Sequence, residues 1–374
     1  MTERGYGLIA CGRIVRSHID AIAEIDGARV VALADTNAEK AAQACERCDD
    51  LTPPAPLSVP DEGGGVAVYE DYRELLADPA VDVVVVMVPT QMHPEVTVAA
   101  LEAGKHVICE KAMAASIAGC REMIDARDRT EKLLMVGQST RFRPPFAMAR
   151  RLIEAGEVGE VVAIDGAFSG PANTPEQGAT DSWRYCAQSA GNGHIINFGC
   201  HYVDTARFLC AQDPVSVSAT VRNRFSPGMI QEDQFSVIAE CDGGALITIA
   251  LYCAPEPVSP RHEGLTIFGT EGAIEALWRP DRVILSKRGR EAREVEIDED
   301  LRESYWTRIH REFRAAIEGG GPVPVTGEDA MRNVEWGLAA YLSSERREWV
   351  DLPLPDELAE YSGPRLEETI PATR

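Results

Sequence analysis

Short uninterrupted apolar runs separated by amphipathic stretches mark the first third of the chain. Tyr6–Ile9, Val30–Ala34, Val81–Val88, His106–Cys109 and Leu133–Val136 read as strands. Runs this apolar fit strands covered on both faces. Between them, Ile14–Ile25, Ala38–Cys48, Asp71–Leu76, Glu95–Ala103 and Ser116–Arg129 read as helices. Ser116 is placed to cap the last of these and Gly104 to stop the one before. Asp49–Gly65 carries Pro53, Pro54, Pro56 and Pro60 and reads as an exposed insertion loop. Strand and helix alternating this regularly predict an α/β fold with a doubly wound parallel sheet.

The pattern changes near Gln138. From Glu160 onwards, Val161–Phe168, Val215–Arg222, Phe235–Glu240, Ala245–Tyr252, Gly264–Phe268 and Val283–Ser286 predominate, and several alternate apolar with polar positions. That alternation predicts a large, mostly antiparallel sheet with one open face. Helices interrupt it over Phe146–Ala155 and Asn197–Cys210, and a long amphipathic helix follows over Glu328–Glu345. The expected division is a first domain over residues 1–138, an α+β domain over 139–352 and a polar tail over 353–374. The late helix is expected to pack on one of the two domains.

Composition narrows the partners. A chain of 374 residues exceeds one ordinary core, and 45% hydrophobic residues supply ample interior for two. A formal net charge of -23 excludes nucleic acid and anionic membrane surfaces as partners, since both require a basic face. No apolar run approaches a membrane span and no secretory leader is evident, so the expected location is cytoplasmic. The 10 cysteines are scattered without framework spacing and read as reduced thiols. The lone Cys45-x-x-Cys48 lacks the second ligand pair of a zinc site, so no metal is expected.

Chemistry concentrates in three places. Gly7–Val15 joins the first strand to the first helix, where Gly12, Arg13 and Ile14 would meet a pyrophosphate at the helix N-terminus. The usual glycine fingerprint is incomplete, with Ala10 at the tight turn and Val15 at the helix packing position. Asp35 ends the second strand at the spacing of a ribose-binding carboxylate, and no Arg or Lys beside it would welcome a 2′-phosphate. NAD is therefore preferred to NADP. Glu110-Lys111 ends an apolar strand, where open α/β sheets bind ligands and where a lysine can be tuned for acid–base work. Asn197, His201 and Asp204 fall at helical spacing on one face, with Gly191 and Gly193 allowing close backbone approach.

These segments resemble the glucose-fructose oxidoreductase / inositol dehydrogenase / rhizopine-catabolism family (Gfo/Idh/MocA). The likeness rests on the first turn with Asp35, on Val88–His93, on Ala103–Lys111 against the family's "AGKHVxxEKP", and on Ser182–Arg184 with Gly191–Asp204 against "GGGxxxDxGxHxxD". It covers most of residues 5–350. Asn197 stands where the family has aspartate, and Ala112 where it has proline. The resemblance implies an N-terminal Rossmann domain binding NAD and a C-terminal domain binding a sugar, polyol or glycoside and forming a homo-dimer or homo-tetramer. It implies His201 as general base, Lys111 as its partner on the same oxygen and Asn197 on an adjacent hydroxyl. Pro89, Thr90, His93, Glu110, Lys111, Trp183 and Arg184 would contact the cofactor, and Arg141, Tyr185 and His310 the substrate. The expected reaction is oxidation of a secondary hydroxyl. The alternatives are redox-neutral, NAD-dependent glycoside cleavage and a non-catalytic dinucleotide- or sugar-binding relative.

Overall fold

The computed structural model describes residues 3–51, 65–171, 193–224, 232–254 and 263–364. Most of the expected insertion loop lies outside these, as do Trp183, Arg184, Tyr185 and Gly191. Six strands, β1 (Arg4–Ile9), β2 (Ala28–Ala34), β3 (Ala67–Tyr69), β4 (Val83–Val86), β5 (His106–Cys109) and β6 (Leu134–Val136), form a parallel sheet in the order β3-β2-β1-β4-β5-β6. The chain order reverses between β1 and β4, which opens a crevice at their carboxyl ends. Five helices cover the faces: α1 (Val15–Ala23), α2 (Ala38–Leu51), α3 (Tyr72–Ala77), α4 (His93–Glu102) and α5 (Ile117–Thr130). Every residue of Val83–Val86 is fully buried, as a central strand requires. Ser116 caps α5 by accepting the Gly119 N–H at 3.2 Å.

The second half carries α6 (Pro144–Glu154), β7 (Val161–Pro171), α7 (Cys200–Cys210), β8 (Pro214–Arg222), β9 (Gln234–Cys241) and β10 (Leu246–Ala254). Then come β11 (Gly264–Gly269), β12 (Gly272–Trp278), β13 (Asp281–Lys287), β14 (Arg293–Val295), α8 (Tyr305–Ile317), α9 (Gly327–Arg346) and β15 (Val350–Asp351). Nine strands line up as β14-β13-β12-β11-β7-β10-β9-β8-β15. Among the described residues of this sheet, only β7 and β10 pair in parallel. Helices pack on one face, and in β9 the burial alternates residue by residue. The strands β3, β12, β14 and β15 and the helix α8 go beyond the elements expected from sequence. Ala-Ile-Glu-Ala-Leu has helix-forming residues, yet pairing with β11 and β13 makes it a strand.

Two late helices return to the first sheet. α8 lies on α1, where Thr307 donates to Glu24 at 2.6 Å. α9 spans both halves. Arg127 on α5 bonds Glu328 at 2.7 and 2.8 Å, while Ser343 and Ser344 accept the Ala219 and Val221 amides of β8 at 3.0 Å.

A buried ion network clasps these parts. Arg141 donates to Asp204 on α7 at 2.8 and 2.5 Å and to Asp329 on α9 at 2.7 Å. Arg207 donates to Asp329 at 2.8 Å and to Asn333 at 2.7 Å, and Asn333 donates to Asp204 at 2.8 Å. Burial works against the Asp329 charge, yet the two guanidiniums hold its carboxyl below the usual carboxylate range. Arg141 was expected at the substrate rim; it is instead buried, with its side chain committed to this clasp.

The first turn bears the mark of its missing glycine. Ala10 adopts φ 73°, the left-handed region. A side chain there costs about 1 kcal/mol relative to glycine. Its amide still donates to Ala34 at 2.8 Å, so the turn keeps its path. Val15 is accommodated in the core, 7% exposed.

Two stability outcomes follow. Ala10→Gly should raise unfolding stability by about 1 kcal/mol in denaturant titration, since only the strain changes. An unchanged or lower midpoint would show that the turn is not strained. Arg141→Met should cost about 3–5 kcal/mol by leaving Asp204 buried without its cation. A loss below about 1 kcal/mol would show that the clasp is dispensable.

Candidate active site

The first turn presents an anion cradle. No side chain caps the start of α1. A Cβ placed on Gly12 would meet no atom within 4 Å, so the space over the turn is open. Arg13 is exposed and Ile14 half-buried beside it. Asp35 accepts the Cys11 amide at 2.6 Å and the Asn37 amide at 2.7 Å, tying the ends of β1 and β2 together. A carboxylate has about four acceptor sites, so two remain for ribose hydroxyls. Asp35 also borders a cavity of about 530 Å³ shared with Thr36, Ala38, Tyr69 and Glu70. These residues fit a dinucleotide: open backbone for the phosphates, a carboxylate for the ribose.

At the carboxyl end of β5 the chain turns through Glu110 and Lys111. The Lys111–Ala112 peptide bond is cis. Lys111 is half-buried, and its Nζ donates to the main-chain oxygen of Asn197 at 2.8 Å. It also lies 5.8 Å from the centre of the Phe198 ring, itself 40% exposed. Glu110 is buried, with one carboxylate oxygen accepting the Lys111 amide at 3.3 Å and the other 3.4 Å from His18 Nε2. Pro89 is half-buried and Thr90 buried, in the turn after β4.

The segment leading into α7 comes from the other half of the chain. Ile195–Gly199 is a π-helical turn, so the expected regular helical face is interrupted. π turns recur at functional sites, because they re-aim side chains. Asn197 reaches Lys111 through its main-chain oxygen, while its side-chain Nδ2 donates to Gly193 O at 3.2 Å. His201 has its Nδ1 hydrogen-bonded to Thr140 Oγ1 at 2.9 Å. Burial, with the charges of Lys111 and Arg143, holds His201 well below the usual imidazole range, so the ring is neutral at pH 7. A proton on Nδ1, shared with Thr140, would leave Nε2 as the basic nitrogen. Arg143 lies 4.0 Å from the centre of the Trp278 ring and donates to the Tyr305 hydroxyl at 3.2 Å.

Four residues singled out in the sequence have their side chains engaged elsewhere. Arg141 and Asp204 form the clasp described above. His310 is fully buried, with Nε2 2.8 Å from His18 Nδ1 and its ring against Tyr6, so it contacts no open cleft. It fills the seam between α1 and α8, where burial keeps it neutral. His93 was expected against the cofactor; its two ring nitrogens lie 2.8 Å from Ala112 O and 2.9 Å from Val88 O. It staples the turn after β4 to the turn after Lys111, leaving neither nitrogen for a ligand. Gly193 approaches Glu232 rather than Lys111.

Thr140 went unnoticed in the sequence. Its signal was position: it follows β6, at the same sheet end as Lys111. Arg143 and Phe198 carried no such signal, because only packing brings them to this cleft.

The family model described as "Oxidoreductase family, NAD-binding Rossmann fold" matches residues 4–138, and "GFO/IDH/MocA C-terminal domain" matches 146–275. The chain is 31% identical to scyllo-inositol 2-dehydrogenase (NAD(+)) of Bacillus subtilis over 284 residues, covering 72% of this chain and 78% of that protein. It is 29% identical to 1,5-anhydro-D-fructose reductase of Ensifer adhaerens over 340 residues, covering 89% and 94%. Its fold matches levoglucosan dehydrogenase in complex with NADH and levoglucosan with a TM-score of 0.79 at 23% identity, covering 94% and 100%. The parallel sheet agrees with the Rossmann fold that the first model describes, and the chain belongs to the Gfo/Idh/MocA oxidoreductase family.

Proposed function

We propose that this chain is an NAD-dependent oxidoreductase that oxidises a secondary hydroxyl of a sugar, inositol or glycoside. The observation that carries the reading is the meeting of Lys111 with the segment leading to His201 at the carboxyl end of the parallel sheet. A bound nicotinamide would accept the hydride. Lys111 donates a hydrogen bond to the substrate oxygen and stabilises the alkoxide that develops there. His201, held neutral and oriented by Thr140, takes the hydroxyl proton on Nε2. Asn197 aligns the Lys111 ammonium through its main-chain oxygen. Gly12, Arg13 and Ile14 receive the phosphates at the start of α1. Asp35 favours NAD over NADP, because a carboxylate accepts from ribose hydroxyls and repels a 2′-phosphate. Pro89, Thr90 and Glu110 border the nicotinamide side. Trp183, Arg184 and Tyr185 lie outside the described residues and remain assigned to the cofactor and substrate by resemblance.

The relatives' names, dehydrogenases and reductases of inositols and sugars, favour net hydride transfer over redox-neutral glycoside cleavage or a purely binding role. The same reading assigns residues 1–138 to the cofactor, 139–352 to substrate and assembly, and a cytoplasmic setting. Among the described residues, no helix is long and apolar enough to cross a membrane.

The outer face of the second sheet supports a homo-oligomer. Leu246, Ala163, Phe268 and Ala273 stand in cross-strand register over four neighbouring strands. Leu246 and Phe268 are 45% and 44% exposed, and Val162 and Ile238 are each 43% exposed. A row of this kind needs cover, and a second copy supplies it symmetrically.

Lys111→Met should lower kcat on a responsive polyol by about 10²–10⁴-fold while NADH affinity, read by fluorescence titration, changes little. Wild-type turnover in that variant would end the assignment, as would equal turnover in His201→Asn. Leu246→Glu with Phe268→Glu should shift the protein to monomer in sedimentation velocity. A wild-type chain already monomeric at micromolar concentration would overturn the assembly.

A further inference from the structure

Glu232 has no part in the chemistry above, yet it lies one turn of backbone from Lys111. It is fully buried, just ahead of β9. Its Oε1 accepts the Ile195 N–H at 2.6 Å and the Tyr341 hydroxyl at 2.8 Å. The same hydroxyl accepts the Gly193 N–H at 3.0 Å. The carboxylate is seated on bare backbone: a Cβ on Gly193 would come within 1.7 Å of Oε2. Glycine is required there by close approach, which gives Gly193 a reason distinct from ligand binding.

From this anchor the path to the site is short. Gly193 O accepts the Asn197 N–H at 3.0 Å and its Nδ2 at 3.2 Å. Asn197 O then holds the Lys111 ammonium at 2.8 Å. The Ile195–Gly199 turn between them is π-helical, a wide geometry that needs outside support. Glu232 holds its first residue, Tyr341 holds Gly193 just ahead of it, and Lys111 bonds its middle residue, Asn197.

We propose that Glu232, in its charged form and with Tyr341, is a positioning residue that fixes the π turn and so aligns Lys111. This inference rests on the oxidoreductase reading of Lys111. Charge matters because a carboxylate accepts from an amide and a phenol more strongly than a carboxylic acid does. The groups facing it are Asp233 beside it in sequence, Tyr341 on α9 and His194 at the start of the π turn, which bonds its main chain. Burial holds His194 neutral, its pKa lowered to about 4, so none of these is a cation at neutral pH. Burial pushes the Glu232 carboxyl up to about 7, with the Ile195 amide and Tyr341 hydroxyl pulling against it.

Two opposite pH trends follow. The folded carboxyl binds its proton more tightly than the unfolded one. Its contribution to stability therefore falls as pH rises from about 4.5 to about 7 and is level above that. Turnover moves the other way, rising through the same range as the charged form fills.

The full-length protein, Glu232→Gln and Tyr341→Phe test this. The readouts are kcat and KM against pH on a responsive polyol, NADH affinity by fluorescence, and amide hydrogen exchange of the peptide covering 193–200, corrected for intrinsic rate. Wild-type kcat should rise roughly tenfold with a midpoint near 7, as expected for a small misalignment of a catalytic group. Glu232→Gln should sit near the low plateau at all pH values, with NADH affinity within about twofold and faster, pH-independent exchange over 193–200. Tyr341→Phe should move the midpoint upward; it provides the test should Glu232→Gln fail to fold. A Glu232→Gln profile that keeps the wild-type midpoint, or loss of NADH binding in step with kcat, would overturn the proposal. If the wild-type chain oxidises no polyol or glycoside, the oxidoreductase reading fails separately. Exchange then decides: protection of 193–200 that follows pH in the wild type but not in Glu232→Gln supports the anchor, and identical protection in both overturns it.

Discussion

The site depends on one hydrogen bond between distant parts of the chain: the Lys111 ammonium on the main-chain oxygen of Asn197, 2.8 Å apart across 86 residues of sequence. It connects the carboxyl end of a parallel strand to the turn that precedes α7. The strand is firmly held because β5 lies between β4 and β6, with Val107–Cys109 fully buried. The turn is rigid because a buried carboxylate and a tyrosine grip its start. A long, flexible lysine side chain thus acquires one defined position, as general acid–base chemistry needs.

The charges around the site divide by burial. Arg141, Asp204, Asp329, Arg207 and Asn333 bond one another, so this network clasps α7 and α9 to the segment after β6 and offers little to a ligand. Its value is specificity of packing as much as net stability, since desolvating ions offsets most of their attraction. Lys111 and His201 are only partly buried, and among the described residues the first bonds Asn197 and the second Thr140. Lys111 and Arg143 also supply the positive field that, after burial, keeps His201 neutral. A clasp of mutually bonded charges beside a pair of partly exposed groups is a physical distinction between scaffold and candidate site.

The departures from the family pattern prove mild in structure. Ala10 takes the left-handed conformation that glycine would take more cheaply, and the turn retains its hydrogen bond to β2. Asn197 loses a charge, but the contact it makes with Lys111 comes from its main chain, which any residue provides. The open space over Gly12 is unaffected by either change.

The alternation of apolar runs and amphipathic stretches was enough to establish the parallel sheet, its helices and the change to antiparallel strands after Gln138. Periodicity reports which face of an element is buried, and that information is local. The turn residues Gly12, Asp35 and Lys111 were legible for the same reason, since each sits where a strand ends. His201 stood out in sequence as a candidate but its partner Thr140 did not, because 61 positions separate them and only the fold brings them together. Arg141, His310 and His93 looked like site residues by type and position in the chain. Their environment decided otherwise: two carboxylates surround the first, a histidine and a tyrosine the second, two carbonyls the third. Sequence by itself determines the elements and the chemical types at their ends. Which of those groups face water and which face one another depends on long-range packing, and only the tertiary structure decides it.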